Sequence, residues 1–291
     1  MEIYHIPVLA EEVTEFLNIG DSSIVVDCTL GEGGHSERIL KVIGRKGFLI
    51  GIDKDKDVIE KARKRLSSVS QNFTLVNGNF ADIEKILENL KINSVNAVLA
   101  DLGLSSFQLR FGERGFSFMK EGPLDMRMDK SQTTTAFDLI NDLSEKELAD
   151  IFYFYGEERR ARSVASVIVK YRKVKKIETT TELAEIVARV YGKRRGKINP
   201  ATKVFQALRI AVNGELEDLK RFLSDVPEVL EKSGRVAIIT YHSLEDRLVK
   251  NAFRSDSRLI RINKKVIRPS KEEIMSNKRS RSAKLRVAER I

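Results

Sequence analysis

Apolar runs recur through the first hundred residues, and stretches of mixed polarity separate them. The runs are Ile24–Asp27, Phe48–Ile52, Phe73–Asn77 and Ala97–Asp101. A strand covered on both faces reads as continuous apolar sequence rather than as strict alternation. The intervening segments Glu37–Val42, Asp57–Ser67 and Ile83–Leu90 carry apolar residues at helical spacing. Strand and helix in alternation predict a parallel sheet with helices on both faces. The pattern stops after Asp101. From about Phe107 to Asn199 the periodicity is mostly helical, over Glu145–Tyr153, Glu158–Tyr171 and Thr181–Tyr191, and Thr179-Thr180-Thr181-Glu182 supplies an N-cap. Strand character returns at Arg235–Tyr241. The tail predicts an edge hairpin built from Lys264–Ile267 and Lys284–Ala288. The expected architecture is α/β, a mostly parallel sheet formed by residues 1–108 and 199–291, with a helical domain, 109–198, inserted between its fourth and fifth strands.

Composition narrows this picture. At 291 residues, 42% hydrophobic and 32% charged, the chain can bury a core and is not disordered. No apolar run reaches membrane-spanning length, and Met1-Glu2-Ile3-Tyr4-His5 does not read as a leader, so a cytoplasmic protein with no membrane association is expected. One cysteine and three scattered histidines give no reason to expect a metal site. The net charge of +10 favours a polyanionic partner. Its distribution says more: basic runs lie at Arg159–Arg162, Lys170–Lys176 and Lys193–Lys197, and again at Lys264-Lys265, Lys278–Arg281, Lys284 and Arg286.

The chemistry concentrates at the strand ends, where open α/β sheets bind ligands. Ile24–Asp27 runs into Gly31-Glu32-Gly33-Gly34-His35-Ser36, a turn whose glycines let a ligand approach bare backbone. The second strand ends in Asp53, placed to take two ribose hydroxyls. Phe80 and the backbone near Asn79 line an adenine slot, and Asp101 sits where a reacting group belongs. The turn is neither a P-loop nor a full dinucleotide fingerprint. The acids Asp27 and Glu32 suit a ligand bearing a cation, such as S-adenosylmethionine, better than a diphosphate.

Several segments together resemble one family: His5-Ile6-Pro7-Val8-Leu9, Asp27–Ser36, Asp101-Leu102-Gly103-Leu104-Ser105-Ser106-Phe107-Gln108, Gly122–Asp129, Asn199–Ile210 and Tyr241-His242-Ser243-Leu244-Glu245-Asp246-Arg247. They occur nearly end to end in the order found in the bacterial 16S rRNA (cytosine-N4)-methyltransferases, the MraW/RsmH family. The resemblance implies a Rossmann-like methyltransferase fold with a helical insertion for substrate recognition and S-adenosylmethionine as cofactor. It also implies a cytidine in the decoding region of the small ribosomal subunit as target. Carried over residue by residue, it gives Gly33, Gly34, His35, Asp53, Phe80, Asp101 and Gln108 to the cofactor.

The cytosine amine is a poor nucleophile, because its lone pair is delocalised into the ring. A site must accept hydrogen bonds from it, and Asp101 is the first candidate. His242 is the second catalytic candidate, for base contact or proton shuttling, with a structural bond to Glu245 or Asp246 as the other reading. Arg127, Lys203, Arg209 and Tyr241 are candidates for RNA contact. Phe107, Phe111, Phe116, Phe118 and Tyr241 are surfaces on which a base could stack. Two other readings stay open at this stage: an amine methyltransferase acting on DNA, and a non-catalytic RNA-binding assembly factor.

Overall fold

The computed structural model describes residues 7–105, 108, 109, 111–192 and 199–291. The chain divides into two compact units, one of residues 1–106 and 216–291 and the other of residues 107–215. Among the described residues the first unit carries a seven-stranded sheet in the order β3-β2-β1-β4-β5-β7-β6. Its strands are β1 (Ile24–Asp27), β2 (Phe48–Asp53), β3 (Phe73–Asn77), β4 (Val95–Asp101), β5 (Leu230–Thr240), β6 (Leu259–Arg261) and β7 (Lys284–Arg290). The first five pair in parallel, and β7 runs antiparallel to both β5 and β6.

Side chains alternate across each strand, so neighbours in sequence feed two separate cores. Val26, Ile50, Val98 and Ile238 pack with Phe222, Val226 and Val249 on one face. Val25, Leu49, Leu99 and Ile239 pack with Val13, Leu17, Ile39 and Leu66 on the other. The covering helices are α1 (Ala10–Leu17), α2 (Gly34–Ile43), α3 (Lys56–Ser67) and α4 (Ile83–Asn89). Among the described residues no helix is long and apolar enough to cross a membrane.

The second unit contains α5 (Ala136–Asp142), α6 (Glu145–Phe154), α7 (Ala161–Arg172), α8 (Thr180–Arg189) and α9 (Ala201–Asn213). Capping boxes start α5, through Thr135 and Asp138, and α6, through Ser144 and Glu147. Beyond it, α10 (Glu215–Val229) leads back to the sheet, α11 (Ser243–Ser255) follows β5, and α12 (Lys271–Ser276) lies between β6 and β7.

Three features depart from the sequence reading. The second unit ends at Glu215 rather than at residue 198, because α9 is fastened inside it. Lys203 Nζ donates to Glu157 O, Gln206 Nε2 to Tyr155 O and Asn213 Nδ2 to Met126 O. Helix α7 begins at Ala161, not Glu158, since the Glu158 carboxylate accepts from Arg160 N and holds a turn there. The edge partner of β7 is Leu259–Arg261, and Ile267 contributes an isolated bridge to Leu285. Beside it, the Asn263 carboxamide replaces the ladder by accepting from Val287 N and donating to Leu285 O.

Candidate active site at the carboxyl rim of the sheet

The turn after β1 passes through Gly31 and Gly33 at φ 50° and 77°, a region that favours glycine. A Cβ on Gly33 would also stand 3.4 Å from Leu66 Cδ2, so the turn presses directly on α3. Asp27 fastens this turn rather than serving a ligand. It is 1% exposed, with Oδ2 accepting from Ser36 Oγ at 2.6 Å and Oδ1 from Thr29 N at 3.2 Å. Burial holds its carboxyl above the usual range.

What the turn leaves available is specific. Glu32 Oε2 and His35 Nε2 are buried and have no hydrogen-bond partner among the described residues. Asp53 closes β2, with Oδ2 accepting from Gly31 N at 2.9 Å and Oδ1 from Asp55 N at 2.9 Å. A carboxylate offers about four lone-pair sites. The two backbone amides leave each oxygen of Asp53 with capacity for one hydroxyl of a diol. Desolvation pushes the Asp53 carboxyl up to about 6. Nearby cations are already committed: Arg65 Nε donates to Glu37 at 2.6 Å, and Lys54 pairs with Asp218. An acid-lined turn of this kind fits an amino-acid ammonium and a sulfonium, and it lacks the free cations that a pyrophosphate would seek.

Phe80 begins a short 3-10 turn directly after β3. It is half-buried and packs edge-on against Phe222, with centroids 5.3 Å apart. It is thus partly core, and the Asn79–Ala81 backbone beside it is held by Asn79 Oδ1 accepting from Ala81 N.

Asp101 ends β4, and its backbone amide donates to Thr29 Oγ1 at 2.6 Å. Tyr241 Oη donates to Asp101 Oδ1 at 2.8 Å. The remaining oxygen, Oδ2, lies 3.7 Å from His35 Nε2. Burial and the adjacent Asp101 charge push the Tyr241 phenol well above its usual range, so it stays protonated and keeps its proton for the bond to Asp101. The ring lies over Gly103, where a Cβ would come within 3.0 Å of Tyr241 Cε2.

His242 stands at the N-cap of α11. Its Nδ1 accepts from Glu245 N at 3.4 Å, and its Nε2 lies 3.0 Å from Glu245 Oε1. Glu245 Oε2 also accepts from Tyr241 N at 2.8 Å. This is the structural alternative raised for His242, and it ties the histidine to the backbone that carries Tyr241. Sequence reasoning missed Thr29, and it named Glu245 only as a structural partner of His242; an acid three residues after a potential cap is the signal for that role.

Other candidates sit in the helical unit, and most are occupied there. Arg127 donates from Nε and Nη2 to Asp125 and from Nη1 to Gln132 O, so it orders its own loop; Asp129 instead accepts from Ser131 N. Arg209 grips Glu215 with Nε and Nη2 at 2.8 and 2.7 Å. Gln108 is buried. Phe116 is buried and Phe118 packs edge-on to Phe205, whereas Phe111 is 43% exposed. Phe107 and the run Lys193–Lys197 lie outside the described residues.

Comparison with known proteins gives the family and the fold. The sequence profile of the MraW methylase family matches residues 2–291. Ribosomal RNA small subunit methyltransferase H of Dictyoglomus turgidum is 50% identical over all of this chain and 98% of its own length. The protein of the same name from Persephonella marina is 52% identical over 99% of this chain and 100% of its own. A crystal structure from Clostridium thermocellum, described as an rRNA-methylase, shares the fold with a TM-score of 0.50 and 13% identity, covering 99% of this chain and 100% of that one. The methyl donor is S-adenosylmethionine. A parallel sheet with an antiparallel seventh strand, an acid-lined glycine turn and a profile match across the chain lead to one assignment: the chain belongs to the MraW methylase family of methyltransferases.

Proposed function

We propose that this chain transfers a methyl group to the exocyclic N4 of a cytidine in the decoding region of 16S rRNA, in the small ribosomal subunit. The observation that carries the reading is the Asp101 carboxylate, fixed through Oδ1 by Tyr241 while Oδ2 keeps accepting capacity at the sheet rim. Its support is the name shared by relatives about half identical over nearly their whole length.

Bound at the rim, S-adenosylmethionine supplies an electrophilic methyl on a cationic sulfur. Gly33 and Gly34 offer backbone, Glu32 offers an acceptor for the ammonium, and Asp53 takes the ribose diol. Asp101 Oδ2 would accept a hydrogen bond from the cytosine amine and draw the nitrogen out of conjugation, freeing its lone pair for attack, and would take up the proton that the amine loses on methylation. Positioning supplies much of the rate in such an in-line displacement. His242 acts through Glu245 to hold Tyr241 in place. The helical unit, with Arg162, Lys170 and Lys173 exposed, contributes to RNA recognition.

The test incubates the protein with small-subunit rRNA, free and in assembled subunits, and a methyl-labelled donor. Label recovered as N4-methylcytidine supports the reading; label on ring carbon or ribose oxygen, or none, overturns it. S-adenosylmethionine at a hundredfold over its Kd should stabilise the fold by about 2.7 kcal/mol, and NAD should not.

A further inference from the structure

Between β6 and β7 the chain makes a twenty-residue excursion, Asn263–Ser282, that the catalytic reading does not use. It is firmly built. Asn263 bonds Val287 N and Leu285 O, and Ile267 exchanges backbone hydrogen bonds with Leu285 at 3.2 and 2.9 Å. Glu273 Oε1 accepts from Leu9 N at 2.9 Å, next to the segment that packs on the glycine turn. Ser280 and Ala283 are fully buried, and Ile262 and Ile267 pack on the sheet's core.

Its cations point the other way. Lys264, Lys265, Arg268, Lys271, Lys278 and Arg281 are all exposed, and none has an ion-pair partner among the described residues. The acids of the excursion are Glu272 and Glu273, and Glu273 is the one turned inward to Leu9. Lys284 and Arg286, which follow in sequence, differ: both bind Asp246 and serve the fold.

Register places this platform. Thr240 pairs with Lys284, so the excursion joins β7 at the end of the sheet where β5 delivers Tyr241. Glu273 is bonded to Leu9 N, two residues after the Pro7 that packs on Gly34 of the glycine turn. The cations therefore rise from the rim that carries Asp101.

We infer that the Asn263–Ser282 excursion is a docking surface for the RNA phosphate backbone, seating the strand that presents the target base to Asp101. The inference rests on the proposed RNA substrate. A rigid base with these six exposed cations on top suits phosphates, because each contact releases a condensed counterion. It supplies affinity and register but no sequence reading.

The test uses the full chain with Lys264, Lys265, Arg268, Lys271, Lys278 and Arg281 changed to Ala, beside a control with Lys46, Lys85 and Lys232 changed to Ala. Binding to a small-subunit rRNA transcript is followed against salt concentration. In the six-site variant the RNA Kd and KM rise by at least about tenfold, and the slope of log K against log salt falls by up to about 4. Its kcat at saturating RNA, its S-adenosylmethionine affinity and its Tm stay within about twofold or 2 °C of the parent. The control keeps the parental slope. A six-site variant that binds RNA with the parental Kd and slope overturns the inference while leaving the substrate reading intact. A parent protein that neither binds nor methylates the transcript or the assembled subunit overturns the substrate reading itself. Should six changes prove unfolding, the two triple variants, Lys264/Lys265/Arg268 and Lys271/Lys278/Arg281 each changed to Ala, each give about half the change in slope.

Discussion

At the carboxyl rim of the sheet, several polar groups keep spare hydrogen-bonding capacity; in the helical unit many of the basic side chains are engaged by the fold itself. Among the described residues Glu32 and His35 each hold a buried atom without a hydrogen-bond partner, and Asp101 Oδ2 lies 3.7 Å from His35 Nε2, beside strands whose central residues are largely buried. In the helical unit, Arg172 donates to the carbonyls of Ile140 and Leu143, and Arg160 donates to Val190 O while its guanidinium covers the Tyr191 ring at 4.9 Å. Lys175 pairs with Glu182, and Lys176 lies over Phe137. The basic tail repeats the contrast from the other side, since Lys264, Lys265, Arg268, Lys271, Lys278 and Arg281 of the excursion are exposed with no ion-pair partner among the described residues. A run of like charge in sequence thus becomes helix-capping material in one place and an open surface in another. Reactivity and recognition belong where a rigid frame leaves polar atoms unfinished.

The largest expected effect comes from removing the open carboxylate. Asp101→Ala should lower kcat by about 10²–10⁴-fold, the range of a positioned proton acceptor, with the fold retained. Methyl transfer at the parental rate by a folded, donor-binding variant would erase the distinction drawn for the rim. Removing a finished polar group should act on stability instead. Asn213 bonds Met126 O, Arg209 O and Met128 N, all at 2.8 Å, so Asn213→Ala leaves buried groups unpaired and should cost about 3 kcal/mol by urea titration. A loss under about 1 kcal/mol would mean that water replaces the carboxamide and that the unit is looser than described.

Tyr241→Phe sharpens the comparison within the rim. It removes only the hydroxyl that orients Asp101, so kcat should fall by about tenfold with KM and the donor Kd unchanged. The same change made in Asp101→Ala should have no further effect, since the partner is gone; additive losses would refute the coupling.

The smallest effect is a pH dependence. Asp53 has its carboxyl raised from 3.8 to about 6. Between those values the folded state holds a proton that the unfolded chain has released, so this group's contribution to stability declines as pH rises from 3.8 to about 6 and is level above. The ribose diol donates to the ionised form, so donor affinity should strengthen as pH rises through about 6. Isothermal titration at pH 5 and 7.5 checks this, and Asp53→Asn should flatten the profile.

The strand runs were legible because a parallel strand buried on both faces needs continuous apolar residues: Ile24–Asp27 occupies the same bounds in sequence and structure, as does the half-buried edge strand Phe73–Asn77. Helix α1 was overlooked although Val13 and Leu17 are spaced for one buried face, since a short amphipathic segment at a chain end carries little signal. The edge strand was misplaced by a few residues because one asparagine side chain substitutes for the ladder, which no periodicity records.

By itself, the sequence determined the sheet's parallel strands, the glycine turn with its acids, and the family. The strands and the turn follow from local periodicity and from residues fixed by backbone conformation, and the family from the resemblance of its motifs. Only tertiary structure decided which charges are available. Asp27 was closed off by Ser36, Arg127 by Asp125 and Arg209 by Glu215, while Asp101 met Tyr241 from 140 residues away and kept one oxygen free. Partnering depends on where strands and loops converge in space, and charge in a linear chain carries no record of that convergence.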